Sequence, residues 1–208
     1  MNKQPLNFDW KFISGFNSSY LNIIPSNAEN IDIPHTVKIM PLNYFDESEY
    51  QGLYTYFKVF DVTNFNKDKV FILRFNGYMV KAKIYLNSHY FGEFASLYNP
   101  VEIDVTSYLK ERNNNLIVIL STIEDPNLPP FGYIVDYLTF GGIYRGVELL
   151  SYQEKYVAKT YVFGDMNGNI RVKDIVSKSL DDKENITHYV YFQDELVAEF
   201  KGEQFKIK

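Results

Sequence analysis

The sequence predicts an all-β protein: a two-sheet sandwich of jelly-roll type, followed by a second, partial β domain. Three observations predict it. Aromatic residues make up 17% of the chain, with 18 Tyr and 17 Phe, and aromatics suit the pleated, half-buried surface of a sheet. Only five alanines stand against nineteen asparagines, a balance that disfavours helix interiors and supplies turns. Apolar residues recur at every second position between clusters of Asn, Gly and Pro, the period of a strand with one buried face.

Taken in order, the run Tyr54–Phe60 (YTYFKVF) reads as a strand. Val70–Phe75 (VFILRF) places Phe71, Leu73 and Phe75 on one side. Val80–Leu86 (VKAKIYL) is the clearest strand: Val80, Ala82, Ile84 and Leu86 share one face, Lys81, Lys83 and Tyr85 the other. Val101–Val105 (VEIDV) buries Val101, Ile103 and Val105, and Thr106–Arg112 reads as one helical turn with Thr106 as its N-cap. Asn115–Leu120 (NLIVIL) is apolar on both faces and is expected at the centre of a sheet. Turn signals separate these runs: Asn76-Gly77, Asn99-Pro100, the triplet Asn113–Asn115, and Pro126 with Pro129-Pro130. Past Leu150 the texture changes to four short strands within 58 residues, with a hairpin signal at Met166–Asn169. That is little more than half of what a seven-stranded sandwich needs, and no closing element is evident near Phe205. The expected domains are residues 1–151, the jelly roll, and 152–208, a truncated second sandwich.

Composition bounds the chemistry. With 46% hydrophobic residues over 208 positions the chain can bury a substantial core. A net charge of −5 and the lack of a basic stripe argue against nucleic acid. No apolar run reaches membrane-spanning length. MNKQPLNFDWKF lacks a signal-peptide core, which favours the cytoplasm. Without cysteine there is no disulfide or thiol chemistry. Of the three histidines, His35 reads as a hydrogen-bonded structural residue, and His89 and His188 as solvated. None forms the i, i+4 pair of a helical zinc site. Nor does the sequence single out two carboxylates that could face each other across a glycosidic bond. From the residues alone the chain is a β-sandwich fit to bind carbohydrate, with no evident catalytic centre.

Five motifs, in order, carry a resemblance. They are Trp10-Lys11-Phe12; Ile33-Pro34-His35; Tyr50–Tyr56 (YQGLYTY); the long match Phe75–Thr106, in which Asn87-Ser88 replaces the usual Asn-Gly; and Gly141–Arg145 (GGIYR). From Trp10 to Leu150 the chain resembles the N-terminal sugar-binding domain of glycoside hydrolase family 2, which holds β-galactosidases, β-glucuronidases and β-mannosidases. The tail from about Ser151 resembles the start of that family's immunoglobulin-like second domain.

The resemblance implies a jelly roll that walls the sugar pocket of a retaining β-glycosidase. The catalytic (β/α)8 barrel would lie further along the same polypeptide, since the family's Asn-Glu acid/base motif occurs nowhere here. Alone, the chain should be inactive. Asp136, nine residues before Arg145, occupies the position from which family members contact the sugar, and in some β-galactosidases approach a bound sodium ion. The parent enzyme would use sodium or magnesium, with no cofactor held by this chain itself. Turn capping is the plain alternative for Asp136. The resemblance assigns Gly141 and Gly142 to backbone angles denied to other residues, and Arg145 to tying the loop to a carboxylate or carbonyl. Glu49 stands where some β-galactosidases place a sugar-binding Asn. Two rival readings are a free-standing carbohydrate-binding module and a non-enzymatic interaction domain whose open edges form a homo-oligomer.

Overall fold

The computed structural model describes residues 1–41, 43, 46–131, 141–177 and 186–206. They are all-β, with three short 3-10 turns. The chain divides into two compact units, Met1–Ser151 and Tyr152–Lys208.

In the first unit, β1 (Asn2–Pro5), β2 (Trp10–Ser14), β3 (Glu29–Ile31), β4 (Leu53–Phe60) and β5 (Lys69–Phe75) are followed by β6 (Lys81–Leu86), β7 (His89–Ala95), β8 (Val101–Asp104), β9 (Asn114–Ser121) and β10 (Val147–Gln153). They form a four-stranded sheet in the order β1-β10-β5-β8 and a six-stranded sheet in the order β3-β2-β4-β9-β6-β7. The alternation in the sequence explains why the sheets pack. Phe71, Leu73 and Phe75 of the smaller sheet meet Tyr56, Ala82, Ile84, Leu86, Leu116, Val118 and Leu120 of the larger in one core that also takes in Trp10. Full burial of each large apolar side chain stabilises by about 1.5–3 kcal/mol. Trp10 is fully buried, and its indole N–H donates to the Leu6 carbonyl, so no polar atom is stranded there.

β9 lies inside the large sheet, paired antiparallel with β4 and β6. Its second apolar face is also covered. Ile117 and Ile119, with Phe57, pack beneath Tyr20, Leu21 and Ile24. The 3-10 turn Ser18–Leu21 is held in place by Asn17, whose side-chain oxygen accepts the Ser19 amide at 2.9 Å. Double burial is therefore the reason this strand carries no polar alternation.

Several local expectations change. Thr106 is not an N-cap. Val105 takes that position, and the Thr106 hydroxyl accepts the Phe71 amide at 2.9 Å and donates to Asp104 at 2.6 Å, stitching β5 to β8. Of the Asn triplet only Asn113, at φ 54°, turns the chain; Asn114 and Asn115 already belong to β9. His89 is not solvated in a turn. It opens β7 and stacks on Tyr108, ring centroids 3.7 Å apart, with Phe91 edge-on at 4.7 Å. The β6–β7 turn itself is Asn87-Ser88, at φ 51° and 70°, the paired left-handed geometry of a two-residue hairpin. Asn87 affords that conformation and also accepts the Asn115 amide at 3.0 Å.

In the second unit β11 (Val157–Gly164), β12 (Asn169–Val176) and β15 (Gln204–Lys206) form one sheet, and β13 (Thr187–Phe192) pairs with β14 (Glu195–Lys201). Residues 204–206, expected to be unstructured, add to β12 through Phe205 and Ile170. A single chain of contacts links the two sheets of this unit. Thr160 donates to Asp174 at 2.7 Å, Asp174 meets His188 Nε2 at 3.2 Å, His188 lies over Phe200 at 5.0 Å, and Phe200 stacks on Phe205 at 4.7 Å. His188 and Asp174 expose only 14% and 10% of their side chains, so the expectation of a solvated His188 is overturned. The imidazole is held because a buried carboxylate needs a donor.

The core account makes a direct prediction. Ile84→Ala should lower the unfolding free energy by about 2–5 kcal/mol. Lys83→Ala, next along β6 but exposed, should change it by less than ~0.5 kcal/mol. Urea unfolding of both variants followed by tyrosine and tryptophan fluorescence checks the contrast.

Candidate functional site

The candidate site is the end of the first unit's sandwich where the chain departs after Phe131 and returns at Gly141. Asp136, with Tyr133, Tyr137 and Phe140, lies outside the described residues. The flanks are described on both sides.

On the outgoing side, Thr122 ends the reach of β9. Its buried hydroxyl donates to the Tyr50 carbonyl and accepts the Gly52 amide at 3.0 Å. Asp125 then starts a turn. Its Oδ1 accepts the Asn127 amide at 2.9 Å and the Asn127 side-chain nitrogen at 3.0 Å, and its Oδ2 pairs with Lys81 of β6. These bonds, that from Lys81 first, hold the Asp125 carboxyl down at about 2. The amides of Leu128 and Phe131 bond back three residues at 2.9 Å each, giving two linked turns. They deliver the Phe131 ring into a pocket made by Met79 and Val80.

On the return side the two glycines do different things. Gly142 lies at φ +141°, and a Cβ there would sit 2.2 Å from the His35 carbonyl oxygen. Gly141 has no left-handed φ, so the expectation of a forbidden backbone angle fails there. It is glycine because a Cβ would meet the Thr122 methyl at 2.3 Å. Its carbonyl accepts the Val37 amide at 3.0 Å and the Thr36 hydroxyl at 3.1 Å. Gly142 pairs with Met79 as an antiparallel bridge. Tyr144 donates to the Leu97 carbonyl. Arg145 is exposed, donates from Nη1 to the Tyr98 carbonyl at 3.1 Å, and bonds through its amide to the Gly77 carbonyl at 3.2 Å.

His35 closes the corner from the other side. Its amide donates to Ile143 at 2.9 Å, its ring packs on Phe12 at 4.7 Å, and Nδ1 lies 3.0 Å from the Tyr56 hydroxyl. Burial lifts the Tyr56 phenol far above its ordinary range, so it stays protonated and can donate. His35 is thus the acceptor at Nδ1, with its proton on Nε2. Burial lowers the His35 pKa, against a smaller opposing pull from Glu29. Glu49, at the family's Asn position, pairs with Lys38 at the surface, an interaction of small energetic weight.

Among the described residues no three His, Asp or Glu side chains converge as a metal cage. The described residues therefore do not fit the sodium or magnesium that the family resemblance raises. The sequence reading missed Lys81, Asp125, Phe131 and Tyr144. Asp125-Pro126-Asn127 carries a turn signal that could have marked the outgoing anchor. Nothing in the alternation of β6 distinguished Lys81 from a solvated lysine.

Such a sandwich, with a long excursion pinned at one end, defines a class of carbohydrate-associated β-modules. The chain belongs to glycosyl hydrolase family 2: the model of that family's sugar binding domain matches residues 15–153. It is 36% identical over 171 residues to a β-galactosidase of Thermoanaerobacter pseudethanolicus, covering 79% of this chain and 23% of that protein. It is 36% identical over 156 residues to a β-galactosidase of Thermoanaerobacterium thermosulfurigenes, covering 74% and 22%. The chain thus spans about a quarter of the length of these relatives. Among solved structures, a β-glucuronidase of an uncultured Clostridium sp. superposes with TM-score 0.80 at 21% identity, over 100% of this chain and 39% of that one. Bacteroides uniformis β-glucuronidase 2, covalently bound to cyclophellitol-6-carboxylate aziridine, superposes with TM-score 0.76 at 25% identity, over 99% and 26%.

Two predictions follow from the corner geometry. Gly142→Ala should destabilise by more than ~1 kcal/mol, since both its φ and its neighbours reject a side chain. Gly52→Ala, whose Cβ would make only ordinary contact with Tyr54 at 3.6 Å, should cost clearly less, as read by urea unfolding. The second concerns pH. His35 titrates below its ordinary 6.5 when folded, so on acidification the unfolded chain takes up the proton first. Its contribution is complete above about 6.5 and is lost as pH falls through that value toward the folded pKa. Melting temperature should therefore drop from pH 7.5 to 5.5, and His35→Gln should flatten the slope. An unchanged slope in the variant contradicts the assignment.

Proposed function

We propose that this chain is the sugar-binding wall of a β-galactosidase-type retaining glycoside hydrolase. The observation that carries the reading is the 36% identity to two β-galactosidases across three quarters or more of the chain. Hydrolysis with retention needs two carboxyl groups about 5–5.5 Å apart, one as acid/base and one as nucleophile. We assign that pair to a (β/α)8 barrel further along the same polypeptide, as in the relatives' additional length.

The wall's own contribution is binding and orientation. In this reading Asp136 accepts hydrogen bonds from two sugar hydroxyls, and both are charge-assisted. Such bonds are worth about 1.5–3 kcal/mol each. Tyr133, Tyr137 and Phe140 supply apolar surface for the sugar's C–H face. Water is excluded on that side because the chain's excursion closes over the pocket. Orientation of the glycoside against a distant acid/base pair is a legitimate share of the rate enhancement.

The test uses the polypeptide extended to the length of its relatives. Asp136→Ala should lower kcat/KM for an aryl β-galactoside by about 10- to 100-fold, the loss of one to two such hydrogen bonds. The 208-residue chain alone should show no turnover. Full activity in Asp136→Ala contradicts the proposed contact.

A further inference from the structure

Three consecutive residues hold both ends of the segment that carries Asp136. Met79 pairs through its backbone with Gly142, its amide donating at 3.0 Å and its carbonyl accepting at 3.4 Å. Met79 and Val80 together form the pocket for Phe131, with Leu97, Leu128 and Tyr144 packed around it. Lys81, the next residue, pairs with Asp125, the head of the two linked turns that lead to Phe131. All of these side chains except the Lys81–Asp125 pair are shielded; Phe131 itself is only 5% exposed. Asp136 is the fifth residue after Phe131 and the fifth before Gly141.

Phe131 has no need of this pocket to complete the main core. It belongs to a separate small cluster with Met79 and Val80, apart from the large cluster between the sheets. Its burial acts on one thing, the point from which the chain departs. The return point is fixed independently, by the glycine contacts with residues 35, 36 and 122. One anchor is backbone and cannot adjust; the other is a ring in a pocket, seated by an ion-paired turn.

We propose that Phe131, seated by the Lys81–Asp125 turn, is a positioning residue for the substrate contact made by Asp136. The inference rests on the sugar-binding role of Asp136 given above. Phe131 touches no substrate. It fixes where the outgoing strand of the excursion starts, and the ion pair fixes the turn that brings Phe131 to its pocket. A misplacement of about 1 Å in a binding group can cost ~10²-fold in rate, so a loosened anchor registers in catalysis before it registers in the fold.

The test is a double-mutant cycle in the extended polypeptide. Phe131→Ala and Asp125→Asn are each made alone and together with Asp136→Ala, and kcat/KM is measured on an aryl β-galactoside. Asp125→Asn, at the partly exposed rim, serves if Phe131→Ala does not fold. Phe131→Ala should lower kcat/KM about 10-fold or more and Asp125→Asn by less. In the Asp136→Ala background each should have less than about a 2-fold further effect, because residues that act through one contact are not additive. Phe131→Leu should restore most of the activity. Equal losses with and without Asp136 overturn the inference, as they would mark a general structural defect. An impaired Asp136→Ala beside an unaffected Phe131→Ala and Asp125→Asn overturns the positioning role alone. Full activity in Asp136→Ala removes the contact, and the positioning role with it.

Discussion

At Gly142 there is no room for a side chain. A Cβ would lie 2.2 Å from the carbonyl of His35 and 2.9 Å from the Cα of Thr36. This close approach brings the return of the 132–140 segment against the His35 strand end, and the bridge to Met79 fixes its register. The His35 imidazole then reaches Tyr56 in the core, and Gly141 meets Thr122 at the end of β9. One backbone contact thus joins a loop, the core and the central strand of the larger sheet. Replacing it with a looser junction would leave the excursion tethered at one end only.

The sandwich supplies what such a junction requires. Its core is continuous between the sheets, and β9 is buried on both faces. A strand buried twice resists local opening more than an edge strand does. The corner residues therefore sit on the most constrained element of the unit. The outer edge at β7 is different in kind, with a bulge between Ile84 and Tyr85 and an exposed Tyr90. Rigidity is concentrated where the segment leaves and returns, which suits a wall that must hold a polar group at a set place.

Much of this was legible in the sequence, and the failures have physical reasons. The alternation in Val80–Leu86 and Phe71–Phe75 gave the inward faces because period two is dictated by the backbone. The apolar run Asn115–Leu120 marked a central strand because only double burial tolerates it. The glycine pair marked a tight site, but φ was the wrong cause for Gly141; the Thr122 methyl that excludes a side chain is 19 residues away in sequence. His89 and His188 were misread because their partners, Tyr108 and Asp174, are brought by pairing between distant strands. Lys81 looked like every other outward lysine, since an ion pair across 44 residues leaves no periodic trace. The family motifs pointed to Asp136, and local alternation alone could not have.

The claim at the centre is that this sandwich holds an acidic side chain against a glycoside bound by the rest of the enzyme. The most direct measurement is a crystal structure of the extended polypeptide with a covalently trapped galactose-like inhibitor. The account predicts an Asp136 carboxylate oxygen at about 2.7–2.9 Å from a sugar hydroxyl, the length of a charge-assisted hydrogen bond. A carboxylate turned away from the sugar, and bonded instead to backbone amides of its own turn, would contradict it.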